Sequence, residues 1–375
     1  MDENIHEDGI EARYFVEAAA KALEVLESFD RLDEELTIGE VARRVGIPYS
    51  SALRLLYTLG KRGYVFRRPG SKKYMRTPAH RRYRIGYAEI GDGLKISQEI
   101  TWSMAVAARA AGVNLIVKDN QLNPQKALAN VDILLQEKID LLIEFQLNET
   151  AAHLISAKCE NAKVPLIAIS FPHPGAYYFG SNKYLGAQLA GRFLCEYAQA
   201  HWRGKVDKVL FLPVTGLTST LEVRKAGIWD TLSKGLKSLR QRDFITAPLG
   251  LTALDGYRET KKILEEIGGK SRRVCVFAVS DGLAIGAEKA VLRMGLADRV
   301  AIVGLGGGRD ARAHVQSGGP LKAQVAYFPE TYGERIIAKA LKILAGEKVP
   351  LASYTHHVVL TQDNIEQYYP SRRSA

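Results

Sequence analysis

The chain has 375 residues, of which 46% are apolar and 25% are charged, and its formal net charge at pH 7 is +11. This length exceeds one ordinary hydrophobic core, so we expect two or three folding units, and the composition excludes a disordered chain. No apolar run approaches the roughly 18 residues that a membrane-spanning helix needs, and the acidic amino terminus MDENIHEDGI, unlike a secretory signal, predicts a cytoplasmic protein with no membrane partner.

The amino-terminal region predicts a lead helix followed by a short capped helix. ARYFVEAAAKALEVLESF has apolar residues at helical spacing, which predicts a buried stripe of Phe15, Ala19, Ala22, Leu23 and Leu26. In TIGEVARRVG, Thr37 is followed three residues later by Glu40, which is a capping-box pattern, and Gly46 is typical of a helix end.

IPYSSALRLLYTLGKRG predicts a third helix, with Ala52, Leu55, Leu56 and Leu59 facing inward. Its outward face carries hydroxyls and cations, which suit a major groove, and Arg54 suits a guanine. YVFRR and KKYMR predict two strands around a Pro-Gly turn, a wing whose basic tip suits the phosphate backbone. Two helices joined by a tight turn are a helix-turn-helix. The predicted DNA-contacting residues are Thr37, Tyr49, Ser50, Ser51, Arg54, Tyr57, Lys61, Arg67, Arg68, Lys72 and Lys73.

The charge distribution supports a double-stranded DNA partner. From Leu36 to Arg84, Glu40 is the only acidic residue, so this unit would repel itself without an anionic partner. The alternatives are a solvated basic face and a winged helix used for protein contacts. We predict a DNA-binding domain over residues 1–77 and a basic linker over residues 78–84. Within this linker, His80, Arg81, Arg82 and Arg84 either enter a minor groove or form a solvated tether.

Residues 13–77 resemble the winged helix-turn-helix of IclR-type transcriptional regulators. The resemblance rests on AAAKALEVLESF, on LTIGEVARRVGIPYSSALRLLYTLGKRGYV and on the wing, in that order. It implies sequence-specific DNA binding. The usual effector domain of that family does not follow.

The remainder alternates apolar strands with amphipathic helices, which predicts an α/β fold of parallel sheets covered on both faces. The predicted strands are YRIGYAEIG, VNLIVKDN, DLLIEFQ, PLIAIS, KVLFLPV, FITAPLG, CVFAVS and VAIVGLG. Polar and aromatic residues follow these strands, where an open parallel sheet binds its ligand. Such residues suit a small polar ligand such as a sugar.

Residues from Arg84 to about Tyr369 resemble the type I periplasmic sugar-binding fold, which lactose-repressor-family sensors share. The stretches that carry the resemblance include NPQKALANVDILLQEKIDLLIE, FGSNKYLGAQLAGRFL, EVRKAGIWDTL and FAVSDGLAIGAEKAVLRMGLADRVAIVGLGG. The resemblance implies a two-lobed domain over residues 85–375 that the chain crosses three times. One lobe would hold residues 84 to about 182 and about 327 to 352, and the other most of the remainder.

The resemblance also implies an effector site. Arg224 stands where the family places a ligand-binding arginine, and Ser280 where an asparagine is frequent. The sequence departs from the family at Ser170-Phe171, at Gly306, at Tyr327 and at Glu144, which disfavours a simple sugar such as ribose. A carboxylate beside Arg224 would suit a modified sugar, a polyol or an amino compound. The predicted effector-binding residues are Asp92, Glu144, Ser170, Phe171, Ser181, Arg224, Ser280, Asp281, Gly306 and Tyr327.

An enzyme is disfavoured by the residue patterns. VGLGGGRDA lacks the spacing of a phosphate-binding or dinucleotide-binding loop, so a strand-to-helix turn explains it better. His356 and His357 are expected on a strand with side chains on opposite faces, and no catalytic triad or metal set emerges. The three cysteines, Cys159, Cys195 and Cys275, are expected to be reduced core thiols. No cofactor is expected.

The combined hypothesis is a homodimeric transcriptional regulator whose DNA affinity changes when a small polar effector binds. The alternative is a sugar-binding fold that serves only as a dimerisation scaffold for non-specific DNA binding. A sugar-modifying enzyme is the third and least supported reading, since no catalytic set is assembled. Induction and corepression stay equally open.

Overall fold

The computed structural model describes residues 15–30, 34–67, 71–76, 83–215 and 218–370. They form two compact units, one on each side of residue 83. Arg68 and, in the predicted linker, His80, Arg81 and Arg82 lie outside the described residues. Arg84 was predicted in the linker, but it begins the first strand of the second unit, where its backbone N–H donates to Asp140 at 2.9 Å.

The first unit is a winged helix-turn-helix. Its helices and strands are α1 (Glu17–Glu27), β1 (Glu35–Thr37), α2 (Ile38–Val45), α3 (Tyr49–Lys61), β2 (Val65–Arg67) and β3 (Lys73–Arg76). The antiparallel strands have the order β1-β3-β2. Gly46 ends α2 in the left-handed conformation at φ 68°, so the sharp turn into α3 has the residue that tolerates it best.

The buried face of α1 differs from the predicted stripe. Phe15 and Leu23 are 67% and 58% exposed, whereas Leu26 is buried as predicted, together with Val25 and with Phe29 just after the helix. These three pack with residues of α2, α3 and β2 in one cluster. The prediction was wrong for Phe15 and Leu23, because the core of this small unit reaches only the carboxyl-terminal half of α1, and it is confirmed for Ala22 and Leu26.

The second unit has two lobes, each with one sheet. The first lobe contains β4 (Arg84–Glu89), α4 (Lys95–Ala110), β5 (Asn114–Asp119), α5 (Pro124–Gln136), β6 (Leu141–Glu144), α6 (Glu149–Ala162), β7 (Leu166–Ile169) and β8 (Tyr177–Gly180). The second contains α7 (Lys183–Trp202), β9 (Lys208–Leu212), α8 (Thr218–Gly235), β10 (Phe244–Thr246), α9 (Ala253–Glu266), β11 (Val274–Ala278), α10 (Asp281–Arg293), β12 (Val300–Gly306), α11 (Arg309–Gln316) and β13 (Leu321–Ala326).

The chain then returns to the first lobe and crosses once more. α12 (Tyr332–Leu344) and β14 (Ala352–Tyr354) belong to the first lobe, and β15 (Val358–Thr361) and α13 (Ile365–Tyr368) to the second. The sheet orders are β14-β8-β7-β6-β4-β5 and β10-β9-β11-β12-β13-β15. The first lobe therefore extends to Tyr354, two residues past the predicted limit, because β14 pairs in parallel with β8.

The eight predicted strands are all present, and the fold class is confirmed. One difference is that β15 pairs antiparallel with β13, so the second sheet is not wholly parallel. The patterns did not predict β8, β13, β14 and β15, of which β14 has only three residues and depends on its pairing with β8. His356 and His357 lie between β14 and β15, so their predicted strand position was wrong.

Candidate DNA-binding surface and effector cleft

The exposed face of α3 presents most of the predicted base-reading residues. Ala52, Leu56 and Leu59 are buried, which turns Tyr49, Ser50, Arg54, Tyr57 and Lys61 outward, while Ser51 is half-buried. The Lys61 ammonium lies 5.6 Å from the ring centroid of Tyr57. The helix contains no acidic residue. Its outer surface therefore offers cations, hydroxyls and rings with nothing to repel phosphate.

Thr37, a predicted DNA contact, is the N-cap residue of α2. Its hydroxyl oxygen accepts from the Glu40 backbone N–H at 3.3 Å, and the Glu40 carboxylate accepts from the Thr37 backbone N–H at 2.7 Å. This is the predicted capping box, and these hydrogen bonds lower the pKa of Glu40. The cap fixes the start of α2, on which the position of α3 depends.

The wing carries exposed cations beside the helix-turn-helix. Lys72, Lys73 and Arg67 are exposed, and the Arg67 guanidinium lies 5.9 Å from the ring centroid of Tyr74. Arg44 differs from them because it pairs with Glu34 at 2.7 Å and with Asp30 at 3.4 Å. Arg68, the remaining predicted wing contact, lies outside the described residues.

A cavity of about 570 Å³ lies between the two lobes of the second unit. Seven of the ten predicted effector residues line it: Ser170, Ser181, Arg224, Ser280, Asp281, Gly306 and Tyr327. The strand and helix ends of both lobes bring these residues together, as expected for open parallel sheets. The cavity is also lined by residues that the sequence patterns missed, among them Lys95, Glu99, Phe145, Lys183 and His314.

Glu144 does not reach the cavity. It is fully buried at the end of β6 and shares the face of Leu142, which packs against α5 and α6. Its carboxylate accepts from the side chain of Asn120 at 2.9 Å, and Asn120 in turn accepts from Asn130 at 2.9 Å. Burial raises the pKa of Glu144 well above its ordinary value. The expected carboxylate beside Arg224 is thus absent from this position, and Glu144 belongs to a polar network inside the lobe.

Phe171 and Asp92 also lie away from the cavity. Ser170 has a φ of 60°, and this turn sends Phe171 into the core, where it is 3% exposed and contacts the ring of His173 edge-on at 6.2 Å. Asp92 is exposed in the loop before α4, and its carbonyl oxygen accepts from Gln98 at 2.7 Å. Of these three predicted residues, only Ser170 lines the cleft.

Asp281 fills the space left by glycine at position 306. Its two carboxylate oxygens accept from the backbone N–H groups of Gly307 at 3.0 Å and Gly308 at 2.9 Å. A Cβ at Gly306, where φ is 135°, would stand 2.7 Å from the Asp281 carboxylate. Burial raises the pKa of Asp281 to about 6, although the two backbone donors oppose this rise.

Arg224 and Lys183 bring two cations to the cleft wall. Arg224 is 8% exposed, and its Nε atom has no hydrogen-bond partner in the described part of the chain. Lys183, in the first turn of α7, is half-buried and donates to the Ser181 hydroxyl at 2.9 Å. Burial lowers the pKa of both groups, and for Lys183 the nearby Arg224 lowers it further.

Tyr327 lies at a crossing between the lobes and is accommodated by a glycine of α7. A Cβ at Gly186 would stand 2.9 Å from the Tyr327 hydroxyl oxygen. The Tyr327 ring also contacts His357 edge-on, with centroids 5.2 Å apart. The small residue at position 186 therefore leaves room for the bulky ring of Tyr327 at this crossing.

Comparison with known proteins agrees with both units. Residues 18–69 match the family described as the IclR helix-turn-helix domain, and residues 96–348 match the family described as the periplasmic binding protein domain. The chain belongs to the periplasmic binding protein domain family. Its membership accounts for the two lobes and the cleft between them.

Among curated relatives, ribose import binding protein RbsB of Salmonella typhimurium is 28% identical over 241 residues, which is 64% of this chain and 77% of that protein. Among solved structures, a solute-binding protein of Actinobacillus succinogenes with bound D-allose has a TM-score of 0.67 at 20% identity, covering 76% of this chain and all (100%) of that one. One from Bacillus halodurans with bound myo-inositol has a TM-score of 0.66 at 18% identity, with 76% and 97% covered. These structures support the fold of this periplasmic binding protein domain.

Other classes of site receive no support from the described residues. Within them, no helix is long and apolar enough to cross a membrane. The same residues contain no group of three or more His, Cys, Asp or Glu side chains that could hold a metal ion. Cys159 and Cys275 are buried, and burial raises the pKa of Cys159 to about 12, so these are unreactive core thiols. Both matched families are binding or regulatory domains, not catalytic ones.

Proposed function

We propose that this protein is a sequence-specific transcriptional regulator whose DNA affinity is controlled by a small polar effector. One observation carries the proposal: a single chain joins an IclR helix-turn-helix to a periplasmic binding protein domain whose cleft is lined by polar and charged side chains among apolar ones. A sugar-binding fold attached to a DNA-binding unit can report on a ligand. The named relatives bind ribose, D-allose and myo-inositol, which supports a sugar or sugar derivative as the effector.

The regulatory step follows from the two-lobed architecture. An effector that binds residues of both lobes favours a closed cleft over an open one, and this closure is the two-state element that the DNA-binding unit senses. A hundredfold difference in effector affinity between the two states corresponds to about 2.7 kcal/mol of coupling. The sign of the response is left open by the proposal.

A homodimer is part of the proposal because paired winged helices read two half-sites about one helical turn apart. An exposed apolar groove between α4 and α12 supports such an assembly. It is lined by Val106, Ala107, Ile337 and Leu341, and Trp102 beside them is 68% exposed. Apolar patches of this kind on a globular unit are typical of protein–protein contacts.

The test of DNA readout starts from a selection of preferred duplexes out of a random-sequence pool. A regulator should favour its selected site by about 10³-fold or more over bulk DNA. On that site, Arg54→Ala should cost about 1 to 3 kcal/mol and relax specificity at one base pair. The measurement is the Kd for the selected site and for each of its single-base variants.

Arg43→Ala is the matched control, since Arg43 is an exposed cation on α2 and not on α3. Its loss should weaken binding to all sequences alike and reduce the salt dependence. If no sequence is enriched, or if Arg54→Ala behaves like Arg43→Ala, the sequence-specific regulator is contradicted. The protein is then better described as a dimerisation scaffold for non-specific DNA binding.

A further inference from the structure

We propose that the effector carries an anionic group, a phosphate or a carboxylate, which Arg224 and Lys183 hold in the cleft. This inference rests on the proposed function, because it assigns the chemical class of the ligand to the same cleft. The relatives named above bind neutral sugars and a neutral polyol, so the assignment separates this chain from them.

The first observation is the missing partner of Arg224. The side chain is more than nine-tenths buried, it lines the cavity, and its Nε donor is unsatisfied within the described ranges. No carboxylate in that part of the chain forms an ion pair with it. A buried guanidinium without a partner is costly, and a planar anion can satisfy its donors two at a time.

The second observation is that another cation stands beside the first. Lys183 lines the same cavity and donates one hydrogen bond to the hydroxyl of Ser181, which also lines the cavity. Two of its three N–H donors are left for a ligand. Arg224 and Lys183 are close enough for the guanidinium to lower the pKa of the ammonium. An anion bound between the two groups would favour the charged form of both and would offset the cost of burying them.

The acidic residues that line the cleft do not pair with Arg224 or Lys183. Both oxygens of Asp281 accept backbone N–H groups, and Asp310 pairs with Lys95 at the cleft mouth. Burial raises the pKa of Glu99, and the nearby Glu330 raises it further. In the described residues, none of the three forms an ion pair with Arg224 or Lys183. The positive charge of this wall is left for the ligand.

The remaining cleft suits the uncharged part of such a ligand. Phe145 and Tyr327 offer apolar surface, while Ser170 and Ser280 offer hydroxyls. The cavity of about 570 Å³ lies within the range that small-molecule sites occupy. The chemistry thus fits a sugar phosphate or a sugar acid, in which hydroxyls and an anion are presented together.

The first test uses inorganic phosphate and therefore does not depend on the identity of the sugar. The thermal midpoint of the full chain is measured with phosphate and with chloride at matched ionic strength. Phosphate is expected to raise the wild-type midpoint by a few degrees at concentrations far above its Kd. Arg224→Met and Lys183→Met should each abolish this shift. Lys225→Met, which changes the next residue of α8 outside the cavity, should keep it.

The second test compares three matched ligand series by calorimetry: D-ribose and D-glucose, their terminal phosphates, and ribonate and gluconate. We expect one anionic member to bind at least 100-fold more tightly than its neutral parent, and each Met variant to remove most of that difference. Phosphates and carboxylates form separate arms, so the result also distinguishes the two anions.

The outcomes separate the two proposals. A neutral sugar that binds as tightly as its anionic forms, with no effect of the Met variants, overturns the anionic effector and leaves the regulator intact. A phosphate shift that is the same in wild type and both Met variants also overturns the anionic site. A panel without any binder, combined with no phosphate shift, contradicts both the anionic site and the sugar-sensing regulator.

Discussion

Glu144 in the first lobe and Arg224 in the second are both charged residues that the fold buries, but their surroundings differ. Glu144 is enclosed by α5 and α6, receives a hydrogen bond from Asn120, and lines no cavity. Arg224 is 8% exposed, and its side chain, which has an unsatisfied donor, lines a cavity of about 570 Å³. Each side chain has one buried atom without a hydrogen-bond partner in the described residues, Oε2 of Glu144 and Nε of Arg224, but only Arg224 lines a cavity.

The comparison shows how burial can serve structure or binding. A buried carboxyl can become neutral by taking a proton, and burial raises the pKa of Glu144, which favours this neutral form. An arginine does not become neutral in this way, because a guanidinium is not deprotonated in proteins, although burial lowers the pKa of Arg224. The cost of burying Arg224 is therefore present in the effector-free protein and is recovered only when an anion binds.

The largest expected effect is on the stability of the effector-free protein. Arg224→Met replaces the unsatisfied guanidinium by an unbranched apolar side chain, and we expect the free energy of unfolding to rise by about 1 to 3 kcal/mol. Urea denaturation of the ligand-free chain measures it. The control Lys225→Met, at a half-exposed position, should change stability by less than about 0.5 kcal/mol.

The stability gain and the loss of phosphate response should occur in the same variant. A drop in stability for Arg224→Met would mean that the guanidinium has partners in the folded chain. The comparison with Glu144 would then fail, because both residues would be structural.

A smaller effect is expected from Glu144→Gln, and it should depend on pH. Because the folded-state pKa is raised, the carboxyl contributes no penalty below about pH 4.5, and the folded state loses stability as pH rises from there through the folded pKa. The neutral amide removes this loss. We expect Gln to stabilise the protein on the order of 1 kcal/mol at pH 8 and much less at pH 4.5, since its NH₂ group also needs partners.

Denaturation curves at several pH values isolate Glu144 by the difference between wild type and variant. Asp281 and Glu99, whose pKa values are also raised, contribute the same slope to both proteins and cancel. A stabilisation that is equal at both pH values would show that Glu144 does not titrate in the folded state. Effector affinity should be unchanged in this variant, because Glu144 lies outside the cleft.

Sequence patterns predicted the elements and the cleft better than they predicted which side chains face it. The Thr37–Glu40 capping box and the helix end at Gly46 depend on neighbouring residues alone, so they could be predicted from the sequence. The side of the sheet on which Glu144 lies could not be predicted. All four residues of β6 are buried, so the strand has no alternation of apolar and polar residues that would distinguish its two faces. The resemblance placed Arg224 correctly at the cleft, where it lines the cavity.

Two other differences have local causes that a pattern does not contain. Phe171 follows a residue with a left-handed backbone, and this single turn decides that the ring packs in the core and not in the cleft. Lys183 lies in the stretch FGSNKYLGAQLAGRFL that carries the resemblance, but it was not among the predicted effector residues. A useful signal was present there, since a lysine directly after the capping residue Asn182 lies at the carboxyl end of β8.

The smallest expected effect concerns the mouth of the cleft, where Lys95 of the first lobe pairs with Asp310 of the second. Both side chains are largely exposed, so their coupling in a double-mutant cycle should be only about 0.2 to 1 kcal/mol and should fade at high salt. Because the pair joins the lobes, its loss should weaken effector binding, by at most about fivefold. Lys158 and Asp132 form a similar pair at 2.6 Å within the first lobe and serve as the control. Their removal should leave effector affinity unchanged, and an equal effect of both pairs would show that Lys95 and Asp310 do not favour cleft closure.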